Sequence, residues 1–454
     1  MTSFIVTPIA YGLTGKTGIE SRFNGALRVE NGVITAIGDL QAREGERIVD
    51  ATGCVVCPGF VNTHHHLFQS IMKSVPSAMN AGLDKWVMDV PYTFWPKIDE
   101  HAMTVSATIG IAELVLSGAT TIADQHYIFS DRYDFDPAQV LFDTAGKFGA
   151  RFVLGRGGLT HGRPWHSADM PPPPTDTLDQ MIAGLESAKN RWHDPSPMSM
   201  RRVAAAPVTT VFNMREGEVR ELARATRQLG LRMHTHLSEN DTYVRSTMER
   251  FGKRPVHWMA DQEWLGPDVW FAHLVKCDRS EIELLAETGT AMAHCPQSNA
   301  RLGSGIAPAP AMHDAGGIIS LAVDGTAANE AGDMAQAIYS AFTVHRATGR
   351  ADATQAETVM NWATQGGARA LGFEGIGTLE VGKAADLVLL DLDQPRYFGQ
   401  HDPTIAPIVS GGQFSVRHSF ANGRELVVNG QVPWLDMRQL RQDAEQVVTK
   451  LLTS

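Results

Sequence analysis

With 454 residues the chain exceeds one ordinary hydrophobic core, and its length suits a large domain beside a smaller one. Its 43% hydrophobic and 20% charged residues exclude a disordered chain, and the net charge of -11 argues against a broad nucleic-acid or anionic-membrane surface. No apolar run approaches the roughly 20 residues of a membrane span, and four cysteines are too few to staple a chain of this size.

Residues 1–56 read as short strands and tight turns, the N-terminal part of a small β-sandwich domain. The opening MTSFIVTPIAYG has no basic segment ahead of a long apolar core, so a secretory signal is not expected and a reduced, cytoplasmic location is. Asn31-Gly32 stands between alternating apolar stretches, a hairpin signal. Cys54 and Cys57 form a C-x-x-C, but no second pair follows, and they lie in the apolar run GCVVCPGF. Buried free thiols are the expectation.

Residues 57–375 alternate strand and helix. The expected strands are 59–65, 120–126, 151–156, 202–208, 231–237, 269–274, 290–295 and 317–324. Amphipathic helical patterns lie between them, for example HAMTVSATIGIAELVLSG and REGEVRELARATRQLG, and MPPPPTDT at 170–177 reads as a loop. Eight apolar strands separated by helices is the pattern of an α/β chain folded as a (β/α)8 barrel. Residues 376–435 return to short strands with Asn422-Gly423 and Asn429-Gly430 turns, the C-terminal part of the same β-sandwich. Residues 436–454 read as a terminal helix.

The chemistry-bearing residues fall at the carboxyl ends of the expected barrel strands. In VNTHHHLFQ, His64 and His66 are two apart and face one way, with His65 facing the other. His234 and His236 repeat the spacing in the fifth strand, with His234 one pleat deeper, where a hydrogen-bonded core role is expected. His273 ends the sixth strand, His294 the seventh and Asp324 the eighth. Barrel enzymes place their chemistry at this rim, so these side chains converge on one mouth and can hold a divalent cation. A carboxylate after the apolar run IISLAV is costly unless it meets a cation or a strong donor.

The series PGFVNTHHH, HTHLSE, FAH, HCPQSN and VDG, with GTLEVGKAADLVLLD returning near the end, resembles the amidohydrolase superfamily over nearly the whole chain. It is most similar to the mononuclear branch of guanine-, cytosine- and adenosine-type aminohydrolases and triazine hydrolases. That resemblance implies His64, His66, His236 and Asp324 as metal ligands, Glu239 as proton shuttle and His273 as a further catalytic residue. Asp324 would also accept a proton from water. Dinuclear members carry a bridging lysine from the fourth strand; RVAAAPV has none, so one divalent metal is expected. Three imidazoles and a carboxylate favour zinc, and iron(II) is compatible.

The implied reaction is hydrolytic deamination of a small nitrogen heterocycle. Gln69 is expected at the substrate edge by resemblance to guanine-type enzymes. Arg156, closing the third strand, is read either as a donor to a ring carbonyl or carboxylate or as an internal ion pair. Trp95, Trp86 and Phe212 can stack on a flat ring or belong to the core. His294 is read as a substrate or supporting contact or as packing. The pattern is similar to enzymes acting on isoxanthopterin and on 8-oxoguanine. Pro207 is followed by Val-Thr-Thr-Val-Phe, without the Ser-Pro step of the 8-oxoguanine enzymes or the Pro-Arg-Phe of guanine deaminases, which favours the pterin. A triazine-type hydrolase releasing halide or amine is the other alternative. A homodimer is the expected assembly by the same resemblance.

Overall fold

The computed structural model describes residues 3–129, 131, 133–163 and 172–453. Residues 170 and 171 of the expected proline-rich loop, and Ser454 of the expected terminal helix, lie outside the described residues.

Strands β1 (Ser3–Leu13), β2 (Arg22–Glu30), β3 (Val33–Gly38), β4 (Arg47–Asp50) and β5 (Cys54–Pro58) come from the N-terminal stretch. Eight barrel strands follow: β6 (Phe60–Asn62), β7 (Ala119–His126), β8 (Arg151–Arg156), β9 (Arg201–Ala205), β10 (Arg232–Leu237), β11 (Val269–His273), β12 (Ala291–His294) and β13 (Ile319–Leu321). The last three are β14 (Leu387–Asp391), β15 (Val416–Ala421) and β16 (Arg424–Val428).

The terminal strands make one sheet in the order β16-β15-β14-β5-β1-β2-β3, with β4 also on β1. Chain ends meet where β14 runs antiparallel to β5, Leu387 opposite Pro58 and Asp391 opposite Cys54. Register shifts on either side of Ile9 bend β1, so its first half pairs with β4 and its second half with β5. The sheet thereby wraps a core that includes Phe4, Val6, Leu27, Val56, Leu389 and Phe420. It is one continuous, folded-over sheet rather than two separately paired ones.

All three Asn-Gly signals have positive φ at both positions: Asn429 (50°) with Gly430 (76°) and, in two turns where the chain ends meet, Asn31 (54°) with Gly32 (82°) and Asn422 (49°) with Gly423 (72°). The two turns touch. A Cβ on Gly32 would stand 2.5 Å from the Asn422 carbonyl oxygen, so no larger residue fits there. Cys54 and Cys57 are free and buried. Their odd spacing sends them to opposite faces of β5, Cys54 with the sheet core and Cys57 with the barrel-side core. They cannot form a disulfide or share a metal.

The barrel strands are parallel and adjacent in chain order. Thr63 N donates to Leu321 O at 3.3 Å and Asp324 N to His64 O at 3.1 Å, which brings the last strand against the first. The interior is filled by small residues, Val61, Ala123, Ala204, Ala293 and Ala322 among them, with the indole of Trp270. Several strands are shorter than the sequence pattern suggests. β9 stops at Ala205, before Pro207, which has no N–H for a ladder. β13 stops at Leu321, three residues before Asp324, whose φ of +66° ends extended pairing. The connecting helices carry the expected signals. Asp99 caps Glu100–Leu116, and Thr177 with Gln180 forms a capping box on Leu178–Trp192. The terminal helix is Met437–Thr453.

Candidate active site

At the carboxyl end of the barrel His64, His66, His236 and Asp324 bring one ligand atom each to within 4.8 Å of one another, all buried, a set that can hold a metal ion. Their hydrogen bonds fix how each imidazole is used. A carbonyl only accepts, so the ring nitrogen facing it must carry the hydrogen. His66 Nδ1 donates to Gln125 O at 2.8 Å and His236 Nδ1 to Val208 O at 2.6 Å. His234 Nδ1 donates to Trp270 O at 2.9 Å, which leaves its Nε2 as the acceptor for His64 Nδ1 at 2.8 Å.

All three candidate ligand rings therefore turn an Nε2 lone pair to one point. His64 Nε2 is buried and finds no hydrogen-bond partner, and His66 Nε2 lies 3.1 Å from His236 Nε2 with no hydrogen available to either. Facing lone pairs repel, and a shared cation removes that repulsion. Nitrogen and carboxylate donors in fours suit a divalent ion such as zinc. Burial lowers the pKa of all three imidazoles, so they stay neutral, the form that ligates.

Two carboxyls in the site are pushed apart. Burial works against charge on Asp324, and hydrogen-bond donors on both of its oxygens favour it. Ser298 Oγ donates to its second oxygen, and Gly325 N to its first at 2.6 Å. Burial pushes the Glu239 carboxyl up to about 7 despite the opposing influence of His273. Glu239 Oε2 lies 3.6 Å from His273 Nε2, and His273 Nδ1 is 2.9 Å from Asn299 Oδ1. Along β11, Val269 and Phe271 pack with the outer core and Trp270 with the interior. Plain alternation would send His273 outward. Its φ of +75° turns the ring into the mouth instead, a strained backbone of the kind that gathers at functional sites.

Above this group lies a narrow cleft of about 30 Å³. Gln69, Trp86, Tyr92, Tyr127 and Arg163 form its walls, with Glu239 and His273. Gln69 Nε2 is 3.2 Å from Tyr127 Oη, and its buried Oε1 has no partner. The indole of Trp86 is fixed by a 3.0 Å bond to Ala327 O.

Other sequence candidates lie elsewhere. Arg156 is the internal ion pair of the two readings: it bonds Asp176 at 3.1 Å, stacks on Phe129, and does not line the cleft. Trp95 borders a separate small cavity with Pro91 and Leu159. Phe212 is buried beneath the Arg163 guanidinium, 5.4 Å away, and does not reach the cleft. His294 points out of the barrel, because Ala293 and Cys295 occupy the inward positions; its Nε2 lies 3.1 Å from His345 Nε2. Sequence reasoning missed Arg163 and Tyr127, in loops after barrel strands, Tyr92, in the one-turn helix Pro91–Phe94, and the supporting Ser298 and Asn299, which are the last two letters of HCPQSN.

Comparison with known proteins agrees with this geometry. A family model described as Amidohydrolase family matches residues 55–426. An isoxanthopterin deaminase of an unknown prokaryotic organism is 45% identical, the alignment covering 98% of this chain and 95% of that protein. An 8-oxoguanine deaminase of Pseudomonas aeruginosa is 34% identical over 92% of each. An atrazine chlorohydrolase from Arthrobacter aurescens, a mutant crystallised with zinc and atraton, superposes with a TM-score of 0.90 at 25% identity, covering 98% of this chain and all of that one (100%). With its barrel, its rim of histidines and these relatives, the chain belongs to the amidohydrolase family.

Proposed function

We propose that this chain is a metal-dependent aminohydrolase that removes the amino group of a pterin, isoxanthopterin in particular, and releases ammonia. The observation that carries the reading is three imidazole Nε2 atoms and the Asp324 carboxylate aimed at one point, with the buried Glu239 carboxyl beside His273 at the same mouth. The pterin is supported by the 45% identical isoxanthopterin deaminase. One divalent cation, zinc by ligand type, would be held by His64, His66, His236 and Asp324. When bound, such an ion supplies the Lewis acidity that brings the ionisation of water close to neutral pH.

The residues divide the proton work by their environments. Asp324, held ionised, accepts a proton from the attacking water. Glu239, pushed up to about 7, protonates the ring nitrogen beside the reacting carbon, takes back the proton that the new hydroxyl loses as it becomes the carbonyl, and the proton held on Asp324 goes to the departing amine. The carbon–nitrogen bond breaks, ammonia leaves and a ring carbonyl remains. His273, held by Asn299, sits against Glu239 and orients the incoming water. Gln69 and Tyr127 offer an amide and a hydroxyl to the pyrimidine edge, and the flat walls of Trp86 and Tyr92 suit a bicyclic ring.

We assign Arg163 to the oxidised second ring, because it is the cationic side chain among the described cleft residues. Arg163→Met is expected to raise KM for isoxanthopterin by about 10-fold or more, the loss of one charge-assisted hydrogen bond, with metal content unchanged. Steady-state kinetics and metal analysis check both. Deamination of 8-oxoguanine is the second reading, favoured by the 34% identical relative. An ammonia assay with isoxanthopterin, pterin-6-carboxylate, 8-oxoguanine, guanine and melamine separates the readings: fastest turnover of a purine or of melamine sinks the pterin assignment.

A further inference from the structure

The opposite end of the barrel carries an unmatched concentration of positive charge. Strands β8 and β10 begin with a buried or half-buried arginine, Arg151 and Arg232, and β9 carries a buried one, Arg202, as its second residue. Arg151 is paired with Asp386 at 3.0 Å. Arg202 and Arg232 form no ion pair among the described residues. The carboxylate with the largest pull on Arg232, that of Asp268, is already gripped by Arg227 through bonds of 2.8 and 3.2 Å. Buried charges in proteins are normally paired, because desolvating one alone is expensive.

Arg202 spends its donors on neutral groups. It bonds Gly372 O at 2.7 Å, Ser196 O at 2.9 Å and Ser199 Oγ at 3.2 Å, and stacks 3.7 Å over the Phe373 ring. The carboxylates that act on its charge, Asp194 and Glu374, stand beyond ion-pair distance. Arg232 bonds Pro267 O and Ala370 O through Nη2 alone. Its Nε is buried without a partner. Its Nη1 makes no hydrogen bond and lies 2.7 Å from where a Cβ of Gly372 would be, so the missing side chain, at a φ of +75°, leaves that nitrogen room. His193 Nδ1 accepts from Val203 N at 3.0 Å, which places the ring hydrogen on Nε2 as a further donor.

These groups surround a cavity of about 200 Å³ lined by His193, Arg202, Arg232, Pro195, Trp270 and Gly372, with no aspartate or glutamate in its wall. Burial, together with their mutual repulsion in the case of Arg202, lowers both guanidinium pKa values to about 10, yet both stay charged at neutral pH. Two like charges, unused N–H donors and no acid make a receptor for a small anion.

We propose that this cavity is a binding site for a small tetrahedral oxyanion, of the class of inorganic phosphate or sulfate, held by Arg232 Nη1 and His193 Nε2 in the field of Arg202. It lies at the end of the barrel opposite the catalytic cleft and does not depend on the proposed activity.

The test is titration of the full-length protein with inorganic phosphate at constant ionic strength, chloride replacing phosphate in the control, read by calorimetry and by the thermal midpoint. Saturable binding with a rise in midpoint that chloride does not give is expected. Arg232→Gln and His193→Asn should each weaken it, the first by about 10-fold or more. Absence of saturable binding to the unaltered chain would overturn the proposal whatever the variants do. Binding that persists unchanged in either folded variant would place the phosphate elsewhere, for instance at the metal, and would overturn it equally.

Discussion

Glu239→Gln is expected to lower kcat by about 10²–10⁴-fold while leaving the metal in place. The side chain is buried, and burial has pushed its carboxyl up to about 7, the range in which one group both gives and takes a proton. Glutamine matches it in size and keeps a hydrogen-bonding group beside His273, but it has no proton to exchange. Its amide lies outside the four-atom cluster formed by His64, His66, His236 and Asp324, so metal stoichiometry should not change. The measurements are single-substrate kinetics and elemental analysis of the same preparation. Unchanged turnover removes Glu239 from the reaction, and lost metal reassigns it as a ligand.

His236→Ala should remove both metal and activity. One of three Nε2 lone pairs disappears, and so does the close approach to His66 at 3.1 Å that a cation relieves. The energetic stake is large: moving the pKa of water from 15.7 to about 7 makes its ionisation about 12 kcal/mol easier at neutral pH. No side-chain base at the site could supply that, so turnover should fall below detection, and a chelator should do the same to the unaltered enzyme. Zinc returned to the chelated wild type should restore activity, and added to the variant should not. A folded His236→Ala protein with full metal content and normal kcat would refute the ligand set.

The parts of this site that alternation governs were readable from the sequence. His234 and His236 face inward because Met233 and Leu237 pack outward in the same strand. The same rule, applied to Ala291, Ala293 and Cys295, already sends His294 outward; the sequence reading left that position open. Where the backbone departs from alternation, the pattern fails. His273 reaches the mouth only through a positive φ, which nothing in VWFAHL announces. Arg156 and Arg163 show a second limit. Arg156 closes the third barrel strand and Arg163 follows it, but one meets Asp176, twenty positions downstream, and the other reaches the cleft from a loop without periodicity. Partner choice of that kind is tertiary information. The barrel was legible because its apolar runs recur; the wrapping of the terminal sheet was not, because the register shifts of β1 against β2, at Pro8 and before Gly12, are set only when the two strands pair.

Pairing of β5 with β14 carries a cost during synthesis. The first five strands leave the ribosome before any of the barrel, yet the neighbour that completes them is made only after the barrel is finished, a delay on the order of tens of seconds at ~5–20 residues per second. Throughout that interval the CVVCP edge has open backbone donors and acceptors and an apolar surface on both faces, the profile of a strand that recruits other chains. Nascent protein should therefore be most prone to aggregate just before its last seventy or so residues emerge, and a chaperone that shields the early strands should raise the soluble yield more than one that acts on the completed chain.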